Sequence, residues 1–301
     1  MAPNVVAWVE WPDFEAPQGV TLLPPGQVGL SAAELGRITF FVPRFLGGPA
    51  AIEPATRMPN LAVLQLPTAG YDDALAFLRP GVTLCNARGV HDQSTAELAI
   101  ALAISGRRGF RDFAEGQAAH EWRHQRRPAL TDSAIAVVGQ GSIGRTVVRM
   151  LSGFETAVTP FSRSGTEGAR PVRTLPAVIG SFDVVILVVP LTEETTGLFG
   201  RDMLRRMKDG ALLVNVARGA VVETDALVAE LQAHRLSAAL DVTDPEPLPA
   251  DHPLWLAPNC IITPHVGGDT TAFEPRARQL VRDQLQRVLS DQPLVNVVRG
   301  G

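Results

Sequence analysis

The sequence predicts an α/β protein of two lobes, each with a mostly parallel sheet. Short runs of valine, isoleucine and leucine alternate with helical patterns along most of the chain, which is typical of successive strand–helix units. The chain has 301 residues, enough for two packed domains. A glycine-rich turn, GQGSIG at 139–144, follows an apolar run near the middle of the chain and opens the second lobe.

The first lobe is predicted from three strand-like runs, at 5–9, 38–42 and 61–66. These runs are rich in β-branched and aromatic residues, as in VVAWV and ITFFV, which favours strands. A helix near 71–79 and a weaker strand at 82–87 are expected to follow.

One long helix and a polar segment are predicted between the two lobes. The helix is expected at 94–113, where apolar residues occur all round one end, and this favours a helix buried between lobes. The polar segment 121–132 then lowers the hydrophobicity before the second lobe begins.

The second lobe is predicted from strands that are nearly continuous in aliphatic residues, as parallel strands buried on both faces are. After the strand that enters the glycine-rich turn, strands are expected at 157–161, 183–189, 211–216, 236–241 and 260–263. Helices are expected at 203–208, 224–233 and 270–290, and a final extended segment at 294–298.

Composition and charge exclude several classes of protein. A net charge of −4 without a basic tract argues against nucleic acid as a partner. No apolar run approaches the roughly 20 residues of a membrane span, and the amino terminus lacks the basic leader of a secretory signal. Two cysteines, Cys85 and Cys260, make no disulfide framework, so a reduced, cytoplasmic location is expected. Cys260 lies in an apolar run and is expected to be a buried structural thiol.

The glycine-rich turn has the features of a dinucleotide-binding loop. Gly139 permits a tight turn, Gly141 lets a pyrophosphate approach the backbone, and Gly144 lets helix and strand pack closely. The amino terminus of the following helix attracts the anion. Such a turn can also be only a turn, but the strand before it and the helix after it favour cofactor binding. The expected contacts are Gly139, Gln140, Gly141, Ser142, Ile143 and Gly144.

The end of the next predicted strand bears on the choice of cofactor. NAD-binding lobes usually carry an acidic residue there for the ribose hydroxyls. This chain instead has Ser162, Arg163 and Ser164, and Arg163 could pair with a 2′-phosphate. A solvated arginine in a polar loop is the alternative. The missing acid favours NADP(H), with NAD possible.

Three later segments each place one reactive side chain after an apolar run: Arg218 in NVARG, Glu246 in DVTDPEP and His265 in TPHVGG. Ligands bind at the carboxyl ends of parallel strands, so we expect these groups at one edge of the sheet. Singly, they could be a surface cation, a turn residue and a capping histidine. Together, in a nucleotide-binding lobe, they indicate a catalytic site.

The chemistry of these three groups predicts hydride transfer to a small keto acid. Arg218 would hold the substrate carboxylate and carbonyl oxygen, and His265 would pass the proton. Glu246 would stabilise the charged imidazole and set its tautomer. His120 and His124 lie in a basic, polar stretch and are expected to be surface residues, and no metal site is predicted.

These motifs resemble the D-2-hydroxyacid dehydrogenase family over nearly the whole chain, from about Leu61 to Val298. The DVxxPEPLPxxHPL pattern at 241–254 is similar to that of glyoxylate/hydroxypyruvate reductases, and SRS at 162–164 to NADP-preferring members. The resemblance implies Arg218, Glu246 and His265 as the catalytic residues. It also implies further cofactor contacts at Pro190, Val216, Ala217, Asp241 and Gly267, with Asp241 at the nicotinamide carboxamide.

The resemblance further implies how the lobes are connected. Residues 1–97 and 271–301 would form a flavodoxin-like substrate-binding lobe, and 98–270 an inserted Rossmann lobe, with the two long helices as the crossings. Backbone amides of Ala69 and Gly70, in PTAGYDD, would bind the substrate carboxylate.

Other positions follow from the same resemblance. Tyr71 would either pack or narrow the pocket, and Asn86 and STAE at 94–97 match the segment that faces the nicotinamide. Trp122 falls in a dimer-contact segment, so a homodimer is expected.

Other functions within the same family are less well supported. A non-catalytic nucleotide-sensing scaffold would not need all three catalytic groups. A phosphoglycerate-type dehydrogenase usually carries an acidic ribose residue and a regulatory domain. A formate-type enzyme has glutamine where this chain has Glu246.

Overall fold

The computed structural model describes residues 5–24, 30–165 and 168–300. The chain folds into two compact units, one formed by 1–91 with 271–301 and the other by 92–270. The second unit begins before the boundary of 98 expected from the sequence. The helix that starts at Asp92 packs Ala96, Ala99 and Ala103 into the core of that unit.

The described residues contain strands and helices that alternate along most of the chain. The strands are β1 (Val5–Val9), β2 (Val20–Leu23), β3 (Phe40–Val42), β4 (Val63–Gln65), β5 (Thr83–Cys85), β6 (Ala134–Val138), β7 (Ala157–Ser162), β8 (Arg170–Pro171), β9 (Val184–Leu187), β10 (Leu212–Asn215), β11 (Ser237–Leu240), β12 (Cys260–Ile262) and β13 (Val297–Arg299). The α-helices are α1 (Ala32–Leu35), α2 (Gly48–Ile52), α3 (Asp92–Arg108), α4 (Phe110–Ala118), α5 (Ser142–Leu151), α6 (Arg201–Arg206), α7 (Thr224–Gln232) and α8 (Phe273–Leu289). Short 3₁₀ helices occur at Glu53–Arg57, Asp72–Phe77, Val172–Ala177, Ile179–Ser181, Gly219–Val221 and Pro253–Leu256.

The first unit has a six-stranded sheet in the order β13-β5-β4-β3-β1-β2, parallel except for β13. Without β13 this is the flavodoxin order. Side chains of β1 alternate between the two faces, as in any strand. Val5, Ala7 and Val9 pack on one face with residues of α8, whereas Val6 and Trp8 pack on the other with residues of α1 and α2.

The second unit has a seven-stranded parallel sheet in the order β12-β11-β10-β9-β6-β7-β8. This is the Rossmann order, in which the direction of winding reverses between β6 and β9. In β6, Ile135 and Val137 face the core shared with α3 and α5, and Ala136 and Val138 face that shared with α6 and α7. The α/β class with two largely parallel sheets is therefore confirmed.

Several predicted elements differ in the structure. A single helix over 94–113 is wrong, because Gly109 adopts a left-handed backbone (φ 70°) and divides it into α3 and α4. The helix expected near 71–79 is the 3₁₀ helix Asp72–Phe77. The helix expected at 270–290 begins later, at Phe273. No helix of the described residues is long and apolar enough to cross a membrane.

Candidate active site

The carboxyl end of β6 leads through a tight glycine turn into α5. Gly139 has a φ of 114°, and a Cβ there would lie 2.5 Å from the Val188 carbonyl oxygen. A Cβ on Gly144 would lie 2.0 Å from the Gly139 carbonyl oxygen. Gly139 is therefore required for the tight turn beside the segment after β9, and Gly144 for the close packing of helix against strand, as the sequence predicts.

Gly141 differs from these two glycines, because among the described residues no atom beyond its chain neighbours lies within 4 Å of where its Cβ would be. It precedes the first residue of α5, and no side chain caps this end of the helix. The first amides of a helix need acceptors from outside it and attract anions. Open space beside uncapped amides suits the pyrophosphate of a dinucleotide. Ser142 Oγ donates to Asp92 Oδ1 at 3.0 Å, which joins the starts of α5 and α3.

The end of β7 carries the Ser162–Arg163–Ser164 segment. Ser162 Oγ accepts a hydrogen bond of 2.9 Å from the Gly165 amide, which holds the turn. Arg163 Nη2 donates to Glu194 Oε1 at 2.6 Å, and both side chains are exposed. A carboxylate of the loop after β9 therefore lies against the arginine at this strand end.

Arg218 lies after β10, where Asn215 holds its backbone. The Asn215 side chain donates to the Arg218 carbonyl oxygen and accepts from the Ala217 amide, each at 3.0 Å. The Arg218 guanidinium donates to the Ala217 carbonyl oxygen at 2.8 Å. A Cβ on Gly219 would lie 1.9 Å from the Thr243 carbonyl oxygen, so the segment that carries Arg218 lies directly against the one that leads to Glu246.

His265 follows β12 and has a left-handed backbone with φ 54°, which is uncommon for a bulky residue. Its amide donates to the Asp241 carbonyl oxygen at 2.8 Å. The buried Asp241 carboxylate accepts from Thr263 Oγ1 at 2.6 Å and from the amides of Val266 and Gly267, each at 2.9 Å. Asp241 therefore fixes the loop around His265.

His265 Nδ1 and Glu246 Oε1 are 2.5 Å apart. An ionised carboxylate only accepts hydrogen bonds, so Nδ1 carries the proton and Nε2 is the nitrogen left for another partner. The two side chains are a little over one third exposed, so substrate-sized molecules can reach them.

The electrostatic environment keeps Glu246 ionised. Burial, the largest single influence, raises the pKa of Glu246. The hydrogen bond and charge of His265, with smaller contributions from the Thr243 backbone and from the charge of Arg218, outweigh it. The pKa of Glu246 therefore lies below its ordinary value. The three predicted catalytic residues thus occur together in the second unit.

The remaining predicted contacts lie at several loops. In the second unit, Pro190 follows β9 and its carbonyl oxygen accepts from Thr195 Oγ1 at 2.7 Å, while Val216 and Ala217 are buried after β10. Gln140 Nε2 donates to the Gly139 carbonyl oxygen at 3.0 Å, and Ile143 packs partly buried in the core.

The predicted substrate loop lies in the first unit, between β4 and the 3₁₀ helix Asp72–Phe77. Asn86 Nδ2 donates to the Ala69 carbonyl oxygen at 2.7 Å, and Thr68 Oγ1 donates to that of Gly70 at 2.8 Å. Both bonds fix the loop. Tyr71 packs against the core of this unit.

Other sequence predictions concern residues away from these loops. His120 and His124 are exposed, as predicted. Both thiols are free and buried, and burial raises the pKa of Cys260 to about 12 and that of Cys85 to about 11, so neither is reactive near neutral pH.

Two residues that matter for the site were not predicted. Asn215 lies within NVARG, but the sequence does not show that its side chain ties the Arg218 backbone. Glu194 lies 31 positions from Arg163, and no sequence pattern links them. Asp241, an expected cofactor contact, also holds the His265 loop through its carboxylate.

Comparison with known proteins gives a consistent family. The sequence profile of the D-isomer specific 2-hydroxyacid dehydrogenase NAD-binding domain matches residues 100–267. The human glyoxylate reductase/hydroxypyruvate reductase is 30% identical over 249 residues, 78% of this chain and 76% of that protein. Glyoxylate/hydroxypyruvate reductase B of Yersinia pestis is 34% identical over 231 residues, 70% of this chain and 69% of that protein.

A solved structure extends the similarity over the whole chain. The crystal structure of a D-isomer specific 2-hydroxyacid dehydrogenase family protein from Aeromonas salmonicida superposes with a TM-score of 0.86 and 27% identity. It covers 99% of this chain and 99% of that chain.

Proposed function

Because this chain belongs to the D-isomer specific 2-hydroxyacid dehydrogenase family, we propose that it reduces a small 2-keto acid to the D-2-hydroxy acid with a nicotinamide cofactor. Glyoxylate and hydroxypyruvate are the proposed substrates, since relatives at 30% and 34% identity carry those names. The observation that carries the proposal is the 2.5 Å contact of His265 with Glu246, beside the charge of Arg218.

The catalytic roles follow from the protonation of this pair. With Nδ1 bonded to the Glu246 carboxylate, His265 Nε2 would hold the proton that the substrate carbonyl oxygen receives during reduction. Glu246 would stabilise the charged imidazole and keep its tautomer fixed. A bound nicotinamide would supply the hydride, and in the oxidative direction His265 would take the proton back.

Substrate binding would rest on a cation and on backbone amides. Arg218 would bind the carboxylate and the carbonyl oxygen through its planar fork, and so orient the carbonyl carbon. The backbone amides of Ala69 and Gly70 are further proposed contacts for the substrate carboxylate. The bonds from Asn86 and Thr68 that fix this loop support that assignment.

The cofactor would be held along the carboxyl edge of the second sheet. The proposed contacts are the glycine turn (Gly139, Gln140, Gly141, Ser142, Ile143, Gly144), the β7 end (Ser162, Arg163, Ser164), and Pro190, Val216, Ala217, Asp241 and Gly267. We propose NADP(H) as the preferred form, because a cation and two hydroxyls stand where NAD-binding lobes usually have a carboxylate.

The proposed function is tested by a substrate panel with the purified protein. Glyoxylate, hydroxypyruvate, pyruvate and phenylpyruvate are each mixed with NADPH or NADH, and cofactor oxidation is followed by absorbance. We expect the highest kcat/KM with glyoxylate or hydroxypyruvate and NADPH, and only the D-enantiomer of glycerate by chiral chromatography. Absence of keto-acid-dependent oxidation with either cofactor, or an L-product, would refute the proposal.

A further inference from the structure

The ion pair between Arg163 and Glu194 joins two loops at the carboxyl edge of the second sheet. Arg163 directly follows β7, and Glu194 lies in the loop after β9. Their Nη2 and Oε1 atoms are 2.6 Å apart, with side chains 82% and 60% exposed. In a Rossmann lobe, the residues just after the second strand meet the adenosine ribose.

The loop that carries Glu194 is fixed by its own hydrogen bonds. Thr195 Oγ1 donates to the Pro190 carbonyl oxygen at 2.7 Å and accepts from the Thr192 amide at 2.8 Å. Thr196 Oγ1 donates to the Thr192 carbonyl oxygen at 2.8 Å. The carboxylate opposite Arg163 is therefore presented by an ordered turn.

We propose that Glu194 is a specificity-determining residue that limits the preference for a 2′-phosphorylated cofactor. The inference rests on the proposed dinucleotide site at the glycine turn. Glu194 binds the Arg163 guanidinium, which a 2′-phosphate would also need to bind. The negative charge of Glu194 would in addition repel that phosphate. Removal of the Glu194 charge therefore strengthens binding of NADPH and leaves binding of NADH nearly unchanged.

The expected change in NADPH affinity is small because both side chains of the Arg163–Glu194 pair are exposed. An exposed ion pair is weak and screened by salt, so a phosphate can displace Glu194 from Arg163 at a small cost. We expect Glu194→Gln to lower the Kd for NADPH by about threefold to fivefold at low ionic strength. Glutamine keeps the size of the side chain, so the turn retains its shape.

The experiment measures Kd values for NADPH and NADH by cofactor fluorescence, without substrate, in four variants. They are Glu194→Gln, Glu193→Gln, Arg163→Ala and the double variant Arg163→Ala with Glu194→Gln. Glu193 is a matched control, because it is an exposed carboxylate in the same turn. We expect NADPH to bind more tightly only in Glu194→Gln, and the gain to fall below about twofold in the Arg163→Ala background.

The outcomes separate this inference from the proposed function. If neither NADPH nor NADH binds the wild-type protein, the dinucleotide site itself is wrong. If both bind but Glu194→Gln leaves the NADPH Kd unchanged, or Glu193→Gln gives the same gain, then Glu194 has no specific role. A full gain that persists without Arg163 would refute competition for the guanidinium.

Discussion

At the residue scale, the site depends on which group carries a proton. The contact between His265 Nδ1 and Glu246 Oε1 leaves Nε2 for the substrate, and the lowered pKa of Glu246 keeps its carboxylate charged throughout the neutral range. Asp241 holds the backbone of the His265 loop through its carbonyl oxygen and its carboxylate. Charge and position of the imidazole are thus set by two different carboxylates.

We predict that Glu246→Gln moves the alkaline limb of the reductive pH profile to lower pH. Reduction requires a protonated imidazole, and a nearby carboxylate favours that charge, so its removal makes the proton easier to lose. The measurement is kcat/KM for keto-acid reduction against pH. The limb belongs to the coupled pair rather than to one residue.

At acid pH, the same pair affects the stability of the protein rather than the protonation needed for reduction. Because the folded pKa of Glu246 is lowered, its contribution to stability is present above the unfolded pKa and is lost as the pH falls through the folded pKa. The alkaline limb of the activity profile lies far from this acid loss of stability, so the two effects can be measured separately. His265→Ala, which should lose most activity at every pH, serves as the control. If the alkaline limb is unchanged in Glu246→Gln, the Glu246 carboxylate has only a structural role.

At the element scale, the turn between β6 and α5 contains glycines with two different requirements. Gly144 is required by packing, since its Cβ would meet the Gly139 carbonyl oxygen at 2.0 Å. No described atom beyond its chain neighbours lies within 4 Å of where a Cβ on Gly141 would be, so the packing of the described residues leaves room there for a ligand.

We therefore predict contrasting effects of two alanine substitutions. Gly144→Ala should lower the free energy of unfolding by about 1–3 kcal/mol, because strand and helix must separate. Gly141→Ala should leave Tm nearly unchanged but weaken cofactor binding, because its methyl group projects where the pyrophosphate is proposed. Thermal unfolding without cofactor and fluorescence titration with NADPH measure the two effects. Equal binding by Gly141→Ala and wild type would exclude close approach of the cofactor there.

The sequence predicts central elements well because burial on both faces leaves a continuous aliphatic pattern. The strands β6, β9, β10 and β11 inside the second sheet follow this rule. Arg218, Glu246 and His265 were located because each follows an apolar run. By contrast, β2 and β8 are short edge strands and partly exposed, so their pattern is weak. The break at Gly109 and the Arg163–Glu194 pair depend on backbone angle and on loop-to-loop contact, which no local pattern encodes.

At the scale of the whole molecule, one surface of the second unit exposes several aromatic side chains among polar residues. Trp122 is 97% exposed, and Trp122 and Phe113 line the same groove. Phe110 of the same helix as Phe113 is 51% exposed. A tryptophan left in water forfeits a large burial free energy and is a frequent anchor of protein interfaces. We propose that a second copy of this chain covers Trp122 and its segment at 121–132, which would form the expected homodimer.

We predict that Trp122→Ser weakens this dimer. Loss of an anchoring tryptophan costs about 2 kcal/mol or more, which raises the dimer dissociation constant at least roughly 30-fold. Analytical ultracentrifugation over a concentration series measures the change. Leu256→Ser is the matched control, because Leu256 is 87% exposed but lies outside the segment, and its removal should leave the dimer intact. Because Trp122 makes little contact within its own chain, Tm extrapolated to the monomer should stay the same. A wild-type protein that sediments as a monomer at every concentration, or equal weakening by Leu256→Ser, would rule out this interface.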